Sequence, residues 1–177
     1  MDWKYLDTEP FLTRQVLAAH FVKNCENVFD VGCGNKPITE FLRGPHKNVI
    51  CADPLMPDEF VGTQSSYKVA NRLVAKTATW YRGNAFDVQP DCLDGYGFIW
   101  LGFDPLGKDI FQDVAHIVEW SEVSVLEGWR NYNPWMYLKS VLPKPALSIS
   151  IDLSKNNLGK LEDSFPPRFD RELLVFK

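Results

Sequence analysis

Two glycines and an aspartate form the pattern in this sequence that could do the most chemistry. Gly32 and Gly34 follow the short apolar run 28–31, and Asp53 follows Gly34 by 19 residues, at the end of a second apolar run. Glycines permit a sharp turn and a close approach of ligand to backbone. A carboxylate at this spacing can accept hydrogen bonds from two ribose hydroxyls. The pattern predicts a site for an adenine nucleoside with an acidic or anionic tail.

Two neighbouring features strengthen this prediction. Asp30 lies inside the first apolar run, where an unpaired polar group would cost about 2–7 kcal/mol, so its carboxylate must be hydrogen-bonded. A helix is predicted to begin at Lys36-Pro37, and its first N–H groups would point toward an anion.

The elements that must position these residues alternate along the chain. Apolar runs predict seven strands, and the 3.6-residue periodicity predicts the helices between them. This alternation predicts an α/β fold: a single-domain (1–177), doubly wound, mostly parallel seven-stranded sheet with the last strand antiparallel and helices on both faces. The predicted strands are 28–31, 48–53, 79–86, 96–103, 122–126, 146–153 and 172–176; the predicted helices are 8–23, 37–43, a segment within 58–77, 109–119 and 134–142, and 154–170 is a predicted loop.

Four segments, taken in chain order, resemble one family. Residues 28–34 (Val-Phe-Asp-Val-Gly-Cys-Gly) closely resemble the first motif of class I S-adenosylmethionine-dependent methyltransferases, and 50–54 (Ile-Cys-Ala-Asp-Pro) resemble the second. Residues 83–86 (Gly-Asn-Ala-Phe) are similar to the segment after the third strand of the family, and 98–103 occupy the place of its fourth motif. The final antiparallel pair also matches, so the resemblance covers nearly the whole chain.

The resemblance implies a cofactor, S-adenosylmethionine, and a role for each matched residue. The first motif would lie along the methionyl part of the cofactor, with Asp30 near the amino group, and the second would bind the ribose through Asp53. Asn84 would face adenine N6 and Ala85 would offer its backbone N–H, while the fourth motif would lie beside the methyl group. The cofactor-binding residues so implied are Asp30, Gly32, Cys33, Gly34, Asp53, Pro54, Asn84, Ala85 and Gly102.

The sequence departs from the family at two places. Asn35-Lys36-Pro37 follows Gly34 where the third glycine of the motif is usual, and Asn84 replaces the more common Asp. Without a third glycine the helix cannot approach a diphosphate so closely, which disfavours a nicotinamide-dependent oxidoreductase.

Sidedness selects the candidates for methyl transfer, because loops that follow parallel strands lie at the reactive edge of the sheet. Asp104 and Tyr132 pass this test and are the predicted catalytic residues, with a role in positioning the acceptor. Glu127, Trp129 and Arg130 also pass, as do Trp3, Tyr5 and Thr8 before the first helix. The alternative for Asp104 is a helix cap or turn residue, and for Glu127 and Arg130 a surface ion pair. The test disfavours the three histidines, His20, His46 and His116.

Composition narrows the function classes. The chain is 45% hydrophobic and 24% charged, with a net charge of −4, so it is predicted to be globular and a poor binder of nucleic acid or anionic membranes. The four cysteines are widely spaced, which favours reduced thiols and no metal site. The start of the sequence lacks the pattern of a signal peptide, and no apolar run could span a bilayer, so an intracellular, cytoplasmic protein is expected.

Three functions remain at this point. The first is a methyltransferase that acts on a small molecule or another acceptor that is not a nucleic acid. The second is a non-catalytic S-adenosylmethionine-binding regulatory or partner protein with the same fold, and the third is the oxidoreductase that the missing glycine disfavours. The sequence identifies neither the acceptor nor the oligomeric state.

Overall fold

Short runs of apolar residues form the strands of a central sheet. The structure is a computed structural model that describes residues 9–33, 38, 41–42, 44, 46–54, 64–65, 68–69, 72–73, 77–104, 110–152 and 170–177. The strands are β1 (Asn27–Val31), β2 (Asn48–Ala52), β3 (Gln64–Ser65), β4 (Lys68–Val69), β5 (Arg72–Leu73), β6 (Thr77–Tyr81), β7 (Tyr96–Leu101), β8 (Val123–Trp129), β9 (Leu147–Asp152) and β10 (Asp170–Phe176). The helices are α1 (Glu9–Phe21), α2 (Phe111–Trp120) and α3 (Asn133–Val141).

The order of strands in the main sheet is β3-β6-β2-β1-β7-β8-β10-β9. β6, β2, β1, β7 and β8 are parallel, whereas β10 runs antiparallel to both β8 and β9. The predicted doubly wound sheet of seven strands with an antiparallel last strand is confirmed. The two-residue strand β3, antiparallel to β6, adds an eighth strand at the edge.

Helices cover both faces of the sheet, as predicted. On one face, Ala18, Ala19 and Val22, at and just after the end of α1, pack against alternate residues of the strands, among them Val28 and Ile99. On the other face α2 and α3 pack against the residues in between. That second cluster includes Phe29, Phe98, Trp100, Phe103, Val114, Ile117, Leu126, Trp135, Leu138, Leu174 and Phe176. The period-2 alternation of the strands therefore fills both cores.

The helix predicted within 58–77 is wrong where the structure describes that segment. Residues 64–65, 68–69 and 72–73 form β3, β4 and β5, of which the last two pair with each other. Tyr67, Val69, Leu73 and Val74 were the apolar residues that favoured a helix. The first three are separated by even numbers of residues and so also fit the two-residue period of a strand, whereas Val74 does not.

Two strand boundaries differ from the sequence prediction in ways that matter for the site. β6 ends at Tyr81, and a 3₁₀ turn at Ala85–Asp87 replaces the end of the predicted strand 79–86. β8 continues to Trp129, so Glu127 and Trp129 belong to the strand and not to the loop after it. Of the predicted helix 37–43 the structure describes Ile38, Phe41 and Leu42, with a hydrogen bond of 2.8 Å from Phe41 N–H to the Ile38 carbonyl. The predicted loop 154–170 lies outside the described residues except for Asp170.

Candidate functional site

The predicted site residues gather at one edge of the sheet. β1, β2, β6, β7 and β8 are parallel, so their carboxyl ends meet at the same edge. The residues that follow these ends are, strand by strand, Gly32 and Cys33, Asp53 and Pro54, Asn84 and Ala85, Gly102 and Asp104, and Tyr132. Gly34, Lys36 and Pro37 lie outside the described residues.

Asp30 lies in β1 and is almost completely buried. The Ile38 N–H donates a hydrogen bond of 2.9 Å to its Oδ2 atom. Burial raises the pKa of Asp30 to about 7; the Ile38 N–H and the Arg14 guanidinium oppose this rise, and the carboxylate of Asp53 adds to it. A positively charged group placed beside this carboxylate would stabilise its ionised form and lower its pKa.

Gly32 makes the turn that the sequence predicted. Its φ angle is +66°, in the left-handed region that favours glycine, and its N–H bonds the Ala52 carbonyl at 2.8 Å. A Cβ atom at this position would lie 2.9 Å from Nε1 of Trp100. The indole thus packs beneath the glycine turn, where it also contacts the rings of Phe86 and Phe103 at centroid distances of 6.3 and 4.9 Å.

Backbone hydrogen bonds join Asp53 to the end of β6 and to the loop that follows it. The Asp53 N–H bonds the Tyr81 carbonyl at 3.0 Å, and the Gly83 N–H bonds the Asp53 carbonyl at 3.3 Å. The side chain of Asp53 is buried. The Asn84 side-chain oxygen accepts a 3.2 Å hydrogen bond from Phe86 N–H and so caps the 3₁₀ turn. Its predicted contact with adenine N6 stays a prediction, and would use a second lone pair of the same side-chain oxygen, because the N6 amino group donates hydrogen bonds.

The two cysteines of the first and second motifs contact each other. The Cys33 thiol donates a hydrogen bond to Cys51, and this bond together with burial raises the pKa of Cys33 well above its ordinary value. Burial leaves the pKa of Cys51 raised as well, although accepting the bond from Cys33 lowers it. Both side chains are free thiols, and the raised pKa values disfavour the thiolate form through which a cysteine acts as a nucleophile.

Glu127 is the residue whose surroundings differ most from the sequence prediction. Its side chain is fully buried and bonds Arg14 Nη1 at 2.8 Å and Arg171 Nη2 at 2.9 Å through Oε2, while Oε1 accepts from Arg171 Nε. Oε2 also accepts the Gly102 N–H at 2.7 Å. The surface ion pair with Arg130 is therefore wrong. Arg130 is paired with Asp170, and its guanidinium also bonds the Ser150 hydroxyl.

The two predicted catalytic side chains contact each other. The Tyr132 hydroxyl donates a 3.1 Å hydrogen bond to Asp104 Oδ1. The Tyr132 ring lies 5.0 Å from that of Trp129, and the Arg171 guanidinium lies 5.4 Å above the Trp129 ring. The sequence placed Asp104 and Tyr132 at the same edge by sidedness alone. Their direct contact comes from the pairing of β7 with β8.

The histidines lie away from this edge. His46 is buried before β2, where Nδ1 donates a 2.8 Å hydrogen bond to the Cys25 carbonyl, and burial lowers the pKa of its imidazole. His20 is exposed near the end of α1, and His116 is exposed on α2 against Trp120. Among the described residues no group of three or more His, Cys, Asp or Glu side chains could hold a metal ion.

No helix in the part of the chain that the structure describes combines the length and the apolar character that crossing a membrane requires.

Sequence comparison gives no match, neither to a protein-family model nor to a curated protein. Solved structures match the fold over nearly the whole chain. The N-methyltransferase NodS from Bradyrhizobium japonicum WM9, in complex with S-adenosyl-L-homocysteine, is 11% identical with a TM-score of 0.64, covering 98% of this chain and 90% of its own. An rRNA methylase from Streptococcus thermophilus is 14% identical with a TM-score of 0.55, covering 97% of both chains.

A third match is precorrin-6y C5,15-methyltransferase from Geobacter metallireducens GS-15, 10% identical with a TM-score of 0.55, covering 100% of this chain and 92% of that one. At these identities the likeness concerns the fold, and it confirms the Rossmann-like methyltransferase fold that the motifs predicted.

Proposed function

We propose that this protein is an S-adenosylmethionine-dependent methyltransferase that acts on a small-molecule acceptor. The observation that carries the proposal is the arrangement at the carboxyl edge of the sheet, where the glycine turn, two buried carboxylates and the Asp104–Tyr132 pair lie within or directly after neighbouring strands. In this fold such an edge binds nucleotides and similar ligands.

The cofactor half of the proposal is supported by the charges of the described residues. S-adenosylmethionine carries an ammonium group on its methionyl part, and Asp30 has a raised pKa that such a group would bring down. Asp53 offers a buried carboxylate to the ribose, and the turn at Gly32 brings no Cβ atom between backbone and ligand. The cofactor supplies an electrophilic methyl group when bound.

The part of the proposal that concerns the acceptor is supported by the residues after β7 and β8, at the other end of the same edge. In-line displacement is accelerated mainly by holding the nucleophile in line. Asp104 and Tyr132 can accept or donate hydrogen bonds to a polar acceptor, and the Trp129 and Tyr132 rings offer it apolar contact. The net charge of −4 disfavours a nucleic acid. The matched structures named above include an N-methyltransferase and an rRNA methylase, so both acceptor classes need testing.

Calorimetric titration tests the cofactor. We expect S-adenosylmethionine to bind and NAD to give no heat. Asp53→Ala should lower the affinity for S-adenosylmethionine about 10- to 100-fold, because hydrogen bonds to a charged acceptor contribute about 1.5–3 kcal/mol. Asp113→Ala, which removes an exposed carboxylate from the first turn of α2, is the control and should bind normally. Absence of binding by the wild type, or equal binding by the Asp53 variant, would exclude the proposed site.

Transfer of a labelled methyl group tests the enzyme. We expect label in a pool of small amines, phenols and carboxylic acids, and none in total tRNA or rRNA. Label in the RNA fraction alone would overturn the small-molecule acceptor while leaving the methyltransferase intact. Binding of the cofactor with no transfer to either pool would instead favour the non-catalytic S-adenosylmethionine-binding protein.

A further inference from the structure

We propose that Glu127 is a positioning residue that fixes the loop after β7 beside the transfer site, an inference that rests on the function proposed above. Its carboxylate touches neither Asp104 nor Tyr132 in any contact described above. It acts on them through the backbone of Gly102 and Phe103.

The Glu127 residue holds the exit of β7 with three hydrogen bonds. Its side-chain Oε2 accepts the Gly102 N–H at 2.7 Å, and its backbone carbonyl accepts the N–H groups of Gly102 at 3.0 Å and Phe103 at 2.8 Å. Gly102 has a φ angle of +81°, a conformation that turns the chain sharply and that L-residues avoid. Through its carboxylate and its backbone carbonyl, Glu127 therefore fixes the conformation of the chain just before Asp104.

Phe103 anchors the same loop from below. Its ring is buried against Trp100 and Trp135, at centroid distances of 4.9 and 6.0 Å. With Gly102 held by Glu127 and Phe103 held by the core, the next residue, Asp104, has a fixed starting point. Its carboxylate then meets the Tyr132 hydroxyl, which follows the end of β8. Glu127 lies in β8 itself, so one strand positions both members of the pair.

Arg14 and Arg171 hold the Glu127 carboxylate in place. They come from α1 and β10, so the cluster joins the first helix and the last strand to the centre of the sheet. Apolar side chains of similar volume can replace a buried charge cluster without loss of stability, so stability alone does not account for these three charges. An apolar residue at position 127 would keep the backbone carbonyl that accepts the Gly102 N–H at 3.0 Å, but it would lose the shorter bond of 2.7 Å to the side chain. This second bond accounts for an acceptor side chain at position 127.

The experiment compares the wild-type chain with Glu127→Gln, Arg14→Gln and a control, Glu26→Gln. Glu26 directly precedes β1, at the opposite edge of the sheet, and is paired with the exposed Lys47, so its replacement removes one negative charge far from the loop. Amide hydrogen exchange is measured at Gly102 and Phe103 and, as an internal standard, at Val125 in the core of β8. Arg14→Gln keeps the Arg171–Glu127 pair and is the milder variant, should Glu127→Gln fail to fold.

We expect exchange at Gly102 to be at least about tenfold faster in both cluster variants, because its hydrogen bond to a charged group is weakened or lost. Exchange at Phe103 should rise as well, because its N–H bonds the Glu127 backbone carbonyl in the same loop. Exchange at Val125 should rise much less. In the control all three amides should exchange as in wild type. Acceleration that is equal at all three amides would show that the cluster only stabilises the fold, and would overturn the proposal.

Ligand preference gives the second readout. S-adenosylmethionine differs from S-adenosylhomocysteine by the transferred methyl group and by the positive charge of its sulfonium centre. The ratio of the two affinities therefore reports on the surroundings of the methyl group. Both cluster variants should reduce the preference for S-adenosylmethionine at least about threefold, by loosening the same loop. A direct charge effect would change the ratio in opposite directions, because Glu127→Gln removes a negative and Arg14→Gln a positive charge.

Opposite changes of the ratio, or none, would therefore overturn the positioning role. A wild type that binds neither ligand would refute the proposed function, and exchange at Gly102 and Phe103 would then decide by itself whether Glu127 fixes the loop.

Discussion

The two halves of the sheet each bury an acidic side chain near the carboxyl edge, and they stabilise its charge differently. Asp30 lies in the half formed by β1, β2 and β6, which we call the cofactor half because the proposed function places the cofactor there. It has one described hydrogen bond, from Ile38 N–H, and a pKa raised to about 7. Glu127, in the half that holds Asp104 and Tyr132, is bonded to two guanidinium groups and the Gly102 N–H. Under the proposed function, the ammonium group of the cofactor would stabilise the charge of Asp30, whereas the protein itself pairs the charge of Glu127.

The largest effect that tests this comparison is on stability. Glu127→Ala leaves the buried guanidinium groups of Arg14 and Arg171 without their shared carboxylate, and we expect the free energy of unfolding to fall by about 3–5 kcal/mol. Urea unfolding followed by circular dichroism measures the change. Glu26→Ala, which removes the partner of the exposed Lys47, should cost about 1 kcal/mol or less. Similar losses for the two variants would mean that Glu127 is not the better-compensated charge the comparison requires.

The next effect is on the pH dependence of stability. The pKa of Asp30 is raised in the folded state, so between pH 4 and 7 the folded chain binds more protons than the unfolded chain at this residue. Its contribution to stability is therefore fully present below pH 4 and is lost as the pH rises to about 7, by at most about 4 kcal/mol.

Asp30→Asn removes this contribution, so the difference in stability between variant and wild type should grow in favour of the variant from pH 4 to 7. Taking the difference cancels the opposite contribution of His46, whose lowered pKa makes folding less favourable as the pH falls. Unfolding free energies in urea at several pH values give the measurement. A difference that stays constant with pH would place the titration of Asp30 outside this range.

Much of the cofactor half could be predicted from sequence because its signals are local. The turn at Gly32 and the position of Asp53 at the end of its strand depend on residues that are close to them in the sequence. The Glu127 cluster could not be predicted in this way. Arg14, Glu127 and Arg171 are far apart in the chain, and the apolar pattern of 122–126 ended the predicted strand too early. The pairing of β8 with β10 places Arg171 opposite Trp129. No residue near Glu127 in the sequence predicts this pairing.

The position of Trp100 illustrates the same limit. The sequence assigns it to a buried strand, whereas its contact with the Gly32 turn depends on the register in which Val31 faces Trp100. Such a register is a property of two strands separated by more than 60 residues. The spacing of residues along the sequence does not predict this register.

A smaller effect concerns the affinity for the cofactor. The ammonium group of S-adenosylmethionine should lower the pKa of Asp30 in the complex, so that binding below pH 7 releases a proton. We expect the affinity to rise by about tenfold per pH unit at most between pH 5 and 7, and to level off above pH 7.

Titration at pH 6.5 in two buffers of different ionisation enthalpy measures the proton release, and Asp30→Asn should abolish it. Proton release that persists in the variant would assign the titration to another group. It would also mean that the ammonium group of the ligand does not stabilise the ionised form of Asp30.

The smallest effect is expected at the exposed end of the other half. Tyr132→Phe removes the hydroxyl that donates to Asp104. Because Asp104 is exposed and Tyr132 only half-buried, we expect the unfolding free energy to change by no more than about 0.5 kcal/mol. The affinity for S-adenosylmethionine should stay within about twofold, since Gly102 remains held by Glu127, whereas methyl transfer to an acceptor should slow by about tenfold or more if the pair orients the nucleophile. Thermal unfolding, calorimetry and a labelled-methyl assay separate the three quantities.

A large loss of cofactor affinity in this variant would show that the two halves of the edge are not independent, because a change confined to the acceptor side would then have affected the site beside Asp30.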